Sequence, residues 1–146
     1  MSQIEERQNE IIEEFKDIDD WMDRYAYIID LGNALPSLEE KYKTPENLIE
    51  GCQSRAWLTA DRDADGNVIY KADSDAIIVK GIISLLTQVL SGNKPEDILE
   101  SDLHFINDIG LSDHLSPTRS NGLLAVLKQM KMYALAYKEL ENKNKS

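Results

Sequence analysis

One cysteine occurs in this 146-residue chain, Cys52, and it stands in Gly51-Cys52-Gln53-Ser54, a short polar turn just ahead of the strand-like run Ala56-Trp57-Leu58-Thr59. A single thiol cannot form an internal disulfide, a CxxC redox pair or a cysteine-rich zinc site, so any chemistry at Cys52 needs a second molecule. Gly51, Gln53 and Ser54 are poor core formers, and a glycine beside the thiol gives the backbone freedom to present sulfur outward. The competing reading is a small buried hydrophobe, a common fate of lone cysteines. Arg119, beside a helix start, is placed to stabilise a thiolate or persulfide anion, although an exposed cap-region arginine accounts for it equally well.

Other chemistries are weaker. His104 and His114 could pair with Cys52 as nucleophile and base only if the fold joined them, a test that any two histidines pass, and they read as surface or loop residues. Asp61-x-Asp63-x-Asp65-Gly66 matches the first half of a calcium loop, but Ala72 stands where the twelfth position needs a bidentate glutamate and the flanks read as strands. The motif is an acidic hairpin turn, and no metal site is expected.

The elements that must position these residues follow from periodicity. Ile4, Ile11, Ile12 and Phe15, then Trp21, Tyr25, Ile28 and Ile29 after Asp19 and Asp20, predict two amphipathic helices, the second ending near Gly32. Pro36 and Pro45 punctuate an irregular approach with a short helical turn at 38–42. Strands are predicted at 53–61 and 68–72, joined by Asp65-Gly66-Asn67, with a third short strand at 48–50. The β-branched run 76–90 places Lys80, Ser84, Thr87, Gln88 and Ser91 on one stripe, which reads as a buried helix capped by Asp75 and closed by Gly92. A short turn follows Pro95, then loop around His104, Asn107, Gly110 and His114. Ser116-Pro117 starts the last helix, with Leu123, Leu127, Met130, Ala134 and Tyr137 inward and a frayed polar tail.

Composition sets outer limits. With 16 basic against 27 acidic residues, the net charge of −11 repels nucleic acid and anionic membrane surfaces. Glu5, Glu6, Glu10, Glu13 and Glu14 could instead steer a basic protein partner. The amino terminus lacks the pattern of a signal peptide, and the most apolar stretch, 76–90, carries Lys80, so a soluble, cytoplasmic protein of one domain over 1–146 is expected.

Three segments, Gly51-Cys52-Gln53-Ser54-Arg55-Ala56-Trp57, Asp73-Ser74-Asp75-Ala76-Ile77-Ile78-Val79-Lys80-Gly81 and Leu115-Ser116-Pro117-Thr118-Arg119-Ser120-Asn121-Gly122-Leu123, together resemble the SufE family of sulfur-acceptor proteins. Tyr25 to Gly32 followed by Leu35-Pro36 is similar to that family's second helix, so the resemblance runs in order over nearly the whole chain. It implies an α+β fold like that of the iron–sulfur scaffold proteins, with helices on one side of a small three-stranded antiparallel sheet. It also implies a non-enzymatic carrier without a cofactor of its own, which stimulates a SufS-type pyridoxal-phosphate cysteine desulfurase, takes its persulfide sulfur and delivers it to an iron–sulfur scaffold complex. Cys52 matches the accepting cysteine, Arg119 the arginine of the third motif, and Asp75 a segment near the cysteine loop of Gly51, Gln53 and Ser54. A lone cysteine does not make the usual thiolate cage of a scaffold. The alternative is a redox sensor or thiol peroxidase, with Cys52 oxidised to sulfenic acid and resolved by an external thiol.

Overall fold

The computed structural model describes residues 2–49 and 54–145. Helix α1 (Gln3–Lys16) begins where the Ser2 hydroxyl accepts the Glu5 N–H at 3.1 Å, and it buries Ile4, Gln8, Ile11 and Phe15. Helix α2 (Trp21–Ala34) is capped by Asp20, whose carboxylate accepts the Met22 N–H at 3.2 Å. Both caps satisfy amides that a helix start leaves without partners. The segment between α2 and the sheet holds two 3₁₀ turns, Glu40–Tyr42 and Pro45–Asn47.

Strands β1 (Ala56–Arg62) and β2 (Val68–Ser74) form an antiparallel hairpin in register from Ala56 opposite Ser74 to Arg62 opposite Val68. Its turn is built by Asp63, whose Oδ1 accepts the N–H groups of Asp65 (3.0 Å) and Asn67 (2.9 Å), while Gly66 takes φ +83°. Among the described residues the sheet has two strands, where three were expected. Leu48 makes only an isolated bridge to Trp57, with the Ile49 N–H on the Ala56 carbonyl at 2.8 Å. The 3₁₀ turn ending at Asn47 leaves Leu48 and Ile49 as the described extended residues, and position 50 of the expected strand lies outside the described residues.

Helix α3 (Ile77–Leu90) is the centre of the core, with Ile82, Ile83, Leu85, Leu86, Val89 and Leu90 all buried. It crosses α2 at a glycine pair so close that a methyl group at Gly32 would lie 2.7 Å from the Gly81 nitrogen. The expected cap of α3 is displaced. Ala76 occupies the N-cap position, the Ser74 hydroxyl accepts the Ala76 N–H at 3.2 Å, and Asp75 points elsewhere. At the other end Gly92 adopts φ +82°, and the Arg7 guanidinium donates to the carbonyls of Gln88 (3.0 Å) and Ser91 (2.5 Å).

Beyond α4 (Pro95–Glu100), the stretch expected as loop is helical: α5 spans Phe105–Asp108 and a 3₁₀ turn Leu111–His114. Long-range polar contacts hold it there. Buried Gln8 donates to the Asp102 carbonyl (3.1 Å) and accepts the Phe105 N–H (3.1 Å), and Arg24 reaches the carbonyls of Phe15 (3.0 Å), Ile18 (2.7 Å) and Ile109 (2.9 Å). Helix α6 (Pro117–Lys145) starts under the Ser116 hydroxyl, which accepts the Arg119 N–H at 3.3 Å. It stays helical through the tail expected to fray, tied to β1 by an Arg62–Glu141 ion pair at 3.7 Å. Among the described residues no helix is long and apolar enough to cross a membrane.

Candidate functional site

Cys52 lies outside the described residues together with Gly51 and Gln53, so the site is built from the chain that flanks them. On the amino-terminal side, Ile49 is fastened to β1 through Ala56. On the carboxy-terminal side, half-buried Ser54 leads into Arg55, which Asp75 grips twice. The Arg55 N–H donates to Asp75 Oδ1 at 3.1 Å, and the Arg55 carbonyl accepts from the Asp75 N–H at 3.1 Å and the Ser74 hydroxyl at 2.9 Å. The Asp75 carboxylate therefore serves the cysteine-bearing segment rather than the start of α3. Two apolar side chains stay exposed nearby in sequence, Leu48 at 39% and Ile77 at 61%.

Beside this anchor is a buried charge to which sequence reasoning gave no role. Asp73, opposite Trp57 in the ladder, accepts the Leu38 N–H at 3.0 Å and the Ser74 N–H at 2.8 Å. Lys43 and Lys80 approach its carboxylate at 3.4 and 3.5 Å, and the Lys43 ammonium lies 5.4 Å from the centroid of the Trp57 ring. Burial alone would raise the Asp73 pKa, but the two backbone donors and both lysines outweigh it and hold the carboxyl below its ordinary value. The node joins the 35–44 segment, β2 and α3 at the end of the sheet that carries Arg55.

Removing it should be costly. Asp73→Ala leaves the Leu38 amide buried and two lysines without their shared anion, which should lower unfolding free energy by about 3 kcal/mol. Because the folded-state pKa is below the unfolded one, this stabilisation is present above the unfolded value and is lost as pH falls through the folded value. Urea midpoints of wild type and variant should thus differ most at neutral pH and converge under acid. A gap that widens on acidification would contradict the role of the carboxylate.

The remaining sequence candidates are dispersed. Arg119 is exposed in the first turn of α6, and among the described residues no hydrogen bond or ion pair links its guanidinium to Ser54, Arg55 or Asp75. His104 is held between Asp108 (2.5 Å from Nδ1) and Glu5 (3.1 Å from Nε2), which raise its pKa, and so it fastens α5 to α1. His114 stacks on Trp21 with centroids 3.7 Å apart. Neither histidine contacts the anchors of the Cys52 segment among the described residues. In the Asp61–Asp65 stretch, Asp63 is committed to the turn amides, and among the described residues no cluster of three His, Cys, Asp or Glu side chains could hold a metal.

A sequence profile of the SufE family, described as an Fe-S metabolism associated domain, matches residues 9–134. The chain belongs to the SufE family. The matched span takes in Cys52, the Asp73–Asp75 anchor and the start of α6, so the SufE profile covers every feature of the site. The fold is also similar to the solution structure of a hypothetical protein from Thermus thermophilus, with a TM-score of 0.75 and 23% identity over 91% of this chain and 96% of that one. That likeness establishes the SufE-family chain's α+β architecture and no more.

Proposed function

We propose that the protein is a sulfur acceptor and carrier for iron–sulfur cluster assembly, and that Cys52 is the residue that carries the sulfur. The observation that bears most weight is membership of an Fe-S metabolism family in a chain whose only thiol falls between two anchored flanks. The donor is the persulfide of a SufS-type cysteine desulfurase. The Cys52 thiolate attacks its outer sulfur, a new S–S bond forms on Cys52, and the donor cysteine leaves as a thiolate. One sulfur moves with no net oxidation of the pair, and the protein needs no metal or cofactor of its own for the step. An iron–sulfur scaffold complex then receives the sulfur.

Features on both sides of Cys52 favour docking on a protein. Leu48 and Ile77 offer apolar contact, and the chain's net negative charge favours a basic partner surface. Incubating the reduced protein with a pyridoxal-phosphate desulfurase and cysteine should add the mass of one sulfur atom, mapping to Cys52 and removed by reductant. An active desulfurase that adds none would overturn the reading, and oxidation of Cys52 by peroxide without any effect on the desulfurase would replace it with the redox sensor.

A further inference from the structure

Helix α1 is fastened to the chain around α5 by two side chains of different kinds. Buried Gln8 is one, with its amide on the Asp102 carbonyl and its oxygen on the Phe105 N–H, and neither bond depends on a titrating group. His104 is the other. Its Nδ1 lies 2.5 Å from Asp108 of α5, and its Nε2 lies 3.1 Å from Glu5 in the first turn of α1. A neutral imidazole has one N–H and would turn a lone pair toward one of these carboxylates, so only the imidazolium donates to both. The clasp needs both ring protons.

The surroundings are acidic. Glu5 lines a cavity of about 300 Å³ together with Ile4 of α1, Asp97 and Glu100 of α4, and Asp102 of the link to α5. Against these carboxylates and Asp108 stand His104 and, from α6, Lys131, whose ammonium donates to the Ser101 carbonyl at 3.1 Å. Hydrogen bonds to Asp108 and Glu5 outweigh partial burial and raise the His104 pKa above its ordinary value. Of the two bonds, the one to Asp108 is shorter and joins residues four apart, so the last ring proton stays with Asp108. The bond given up on deprotonation is the one to α1.

We propose that His104 is a proton-operated latch on α1: doubly protonated, it ties the first turn of the helix to α5, and when the proton facing Glu5 leaves to solvent that turn opens while Gln8 keeps the rest of the helix docked. Opening places a lone pair and a carboxylate face to face among other carboxylates, which pushes Glu5 away, and the cavity beside it gives the turn room to move. Ile4, buried in the same turn, is uncovered by that movement. Because both partners raise the folded-state pKa, the latch holds below the unfolded value and is lost as pH rises through the folded one. Its sense is opposite to that of the Asp73 node, which is lost under acid.

Side-chain nitrogen spectra of the whole protein read the ring protons directly. His104 should carry two at neutral pH, and Glu5→Gln, which keeps an acceptor oxygen but removes the charge, should lower its titration midpoint by about half a pH unit or more. Amide exchange, corrected for its intrinsic dependence on pH, then reads the opening. The Glu5 and Glu6 amides, held by the Ser2 hydroxyl at 3.1 Å and carbonyl at 3.0 Å, should lose protection about threefold or more as His104 deprotonates. The Phe105 amide, held by Gln8, should not change. A single ring proton at neutral pH would overturn the proposal, as would an unmoved midpoint in Glu5→Gln. Flat protection at Glu5 and Glu6 through the titration would do the same, and an equal loss at Phe105 would show the whole helix leaving rather than its first turn.

Discussion

Gly81→Ala is expected to destabilise the protein more than any other methyl-sized change in α3. A Cβ at this position would sit on the Ile28 carbonyl oxygen and against the Ile28 side chain, and Gly32, one turn further along α2, packs on the Gly81 backbone as well. The atoms met include the Ile28 backbone, so no rotamer change relieves the clash and the helices must separate along their shared buried surface. Overpacking of this kind costs about 3 kcal/mol. For a chain of this size that lowers the thermal midpoint by roughly 10 °C. Gly32→Ala should cost less, because its added methyl meets the Gly81 nitrogen at 2.7 Å and the Lys80 carbonyl carbon at 3.0 Å. The double variant should fall short of the sum, since separating the helices once relieves both contacts. A Gly81→Ala protein with an unchanged midpoint would show that the crossing is looser than these distances. The result bears on the site, because Lys80 adjoins the crossing and completes the Asp73 node.

Local chemistry is what the amino-acid sequence displays most openly here. Helical periodicity with an Asp20 or Ser116 cap locates α2 and α6, and Asp65-Gly66-Asn67 locates the hairpin, because those signals lie within a few residues of the structure they specify. The sequence misleads where a distant partner decides. Asp75 has the spacing of a helix cap, yet the Arg55 amide, 20 positions away, claims its carboxylate. The stretch around His104 and Asn107 has loop composition but is helical, with its amide and carbonyl groups met by Gln8 and Arg24 from α1 and α2. Leu48 and Ile49 look strand-like and pair with β1, but a bridge is all that two residues achieve. Asp73 sits in a recognisable motif with no role attached, since nothing local reveals that Lys43, Lys80 and the Leu38 amide converge on it. Of the site, sequence names the thiol and Asp75, and the fold supplies the anchors that connect them.

Cys52→Ser should separate the three readings of the lone thiol, because each puts its cost in a different measurement. A serine hydroxyl remains protonated at neutral pH and does not attack a persulfide sulfur, so transfer and any stimulation that depends on it should be lost completely. Docking, which needs Leu48 and Ile77 rather than sulfur, should survive, and the variant should compete with wild type for the desulfurase. The polar neighbours Gly51, Gln53 and Ser54 argue for a stability change within about 0.5 kcal/mol. Were Cys52 a packed hydrophobe, the serine would bury an unsatisfied hydroxyl and cost about 1–3 kcal/mol while sulfur transfer between other groups continued. Were it a redox sensor, the variant would lose peroxide reactivity and leave the desulfurase untouched. Loss of loading with an intact fold and retained competition is thus a pattern that only the carrier produces, and sulfur uptake by the serine variant would overturn it outright.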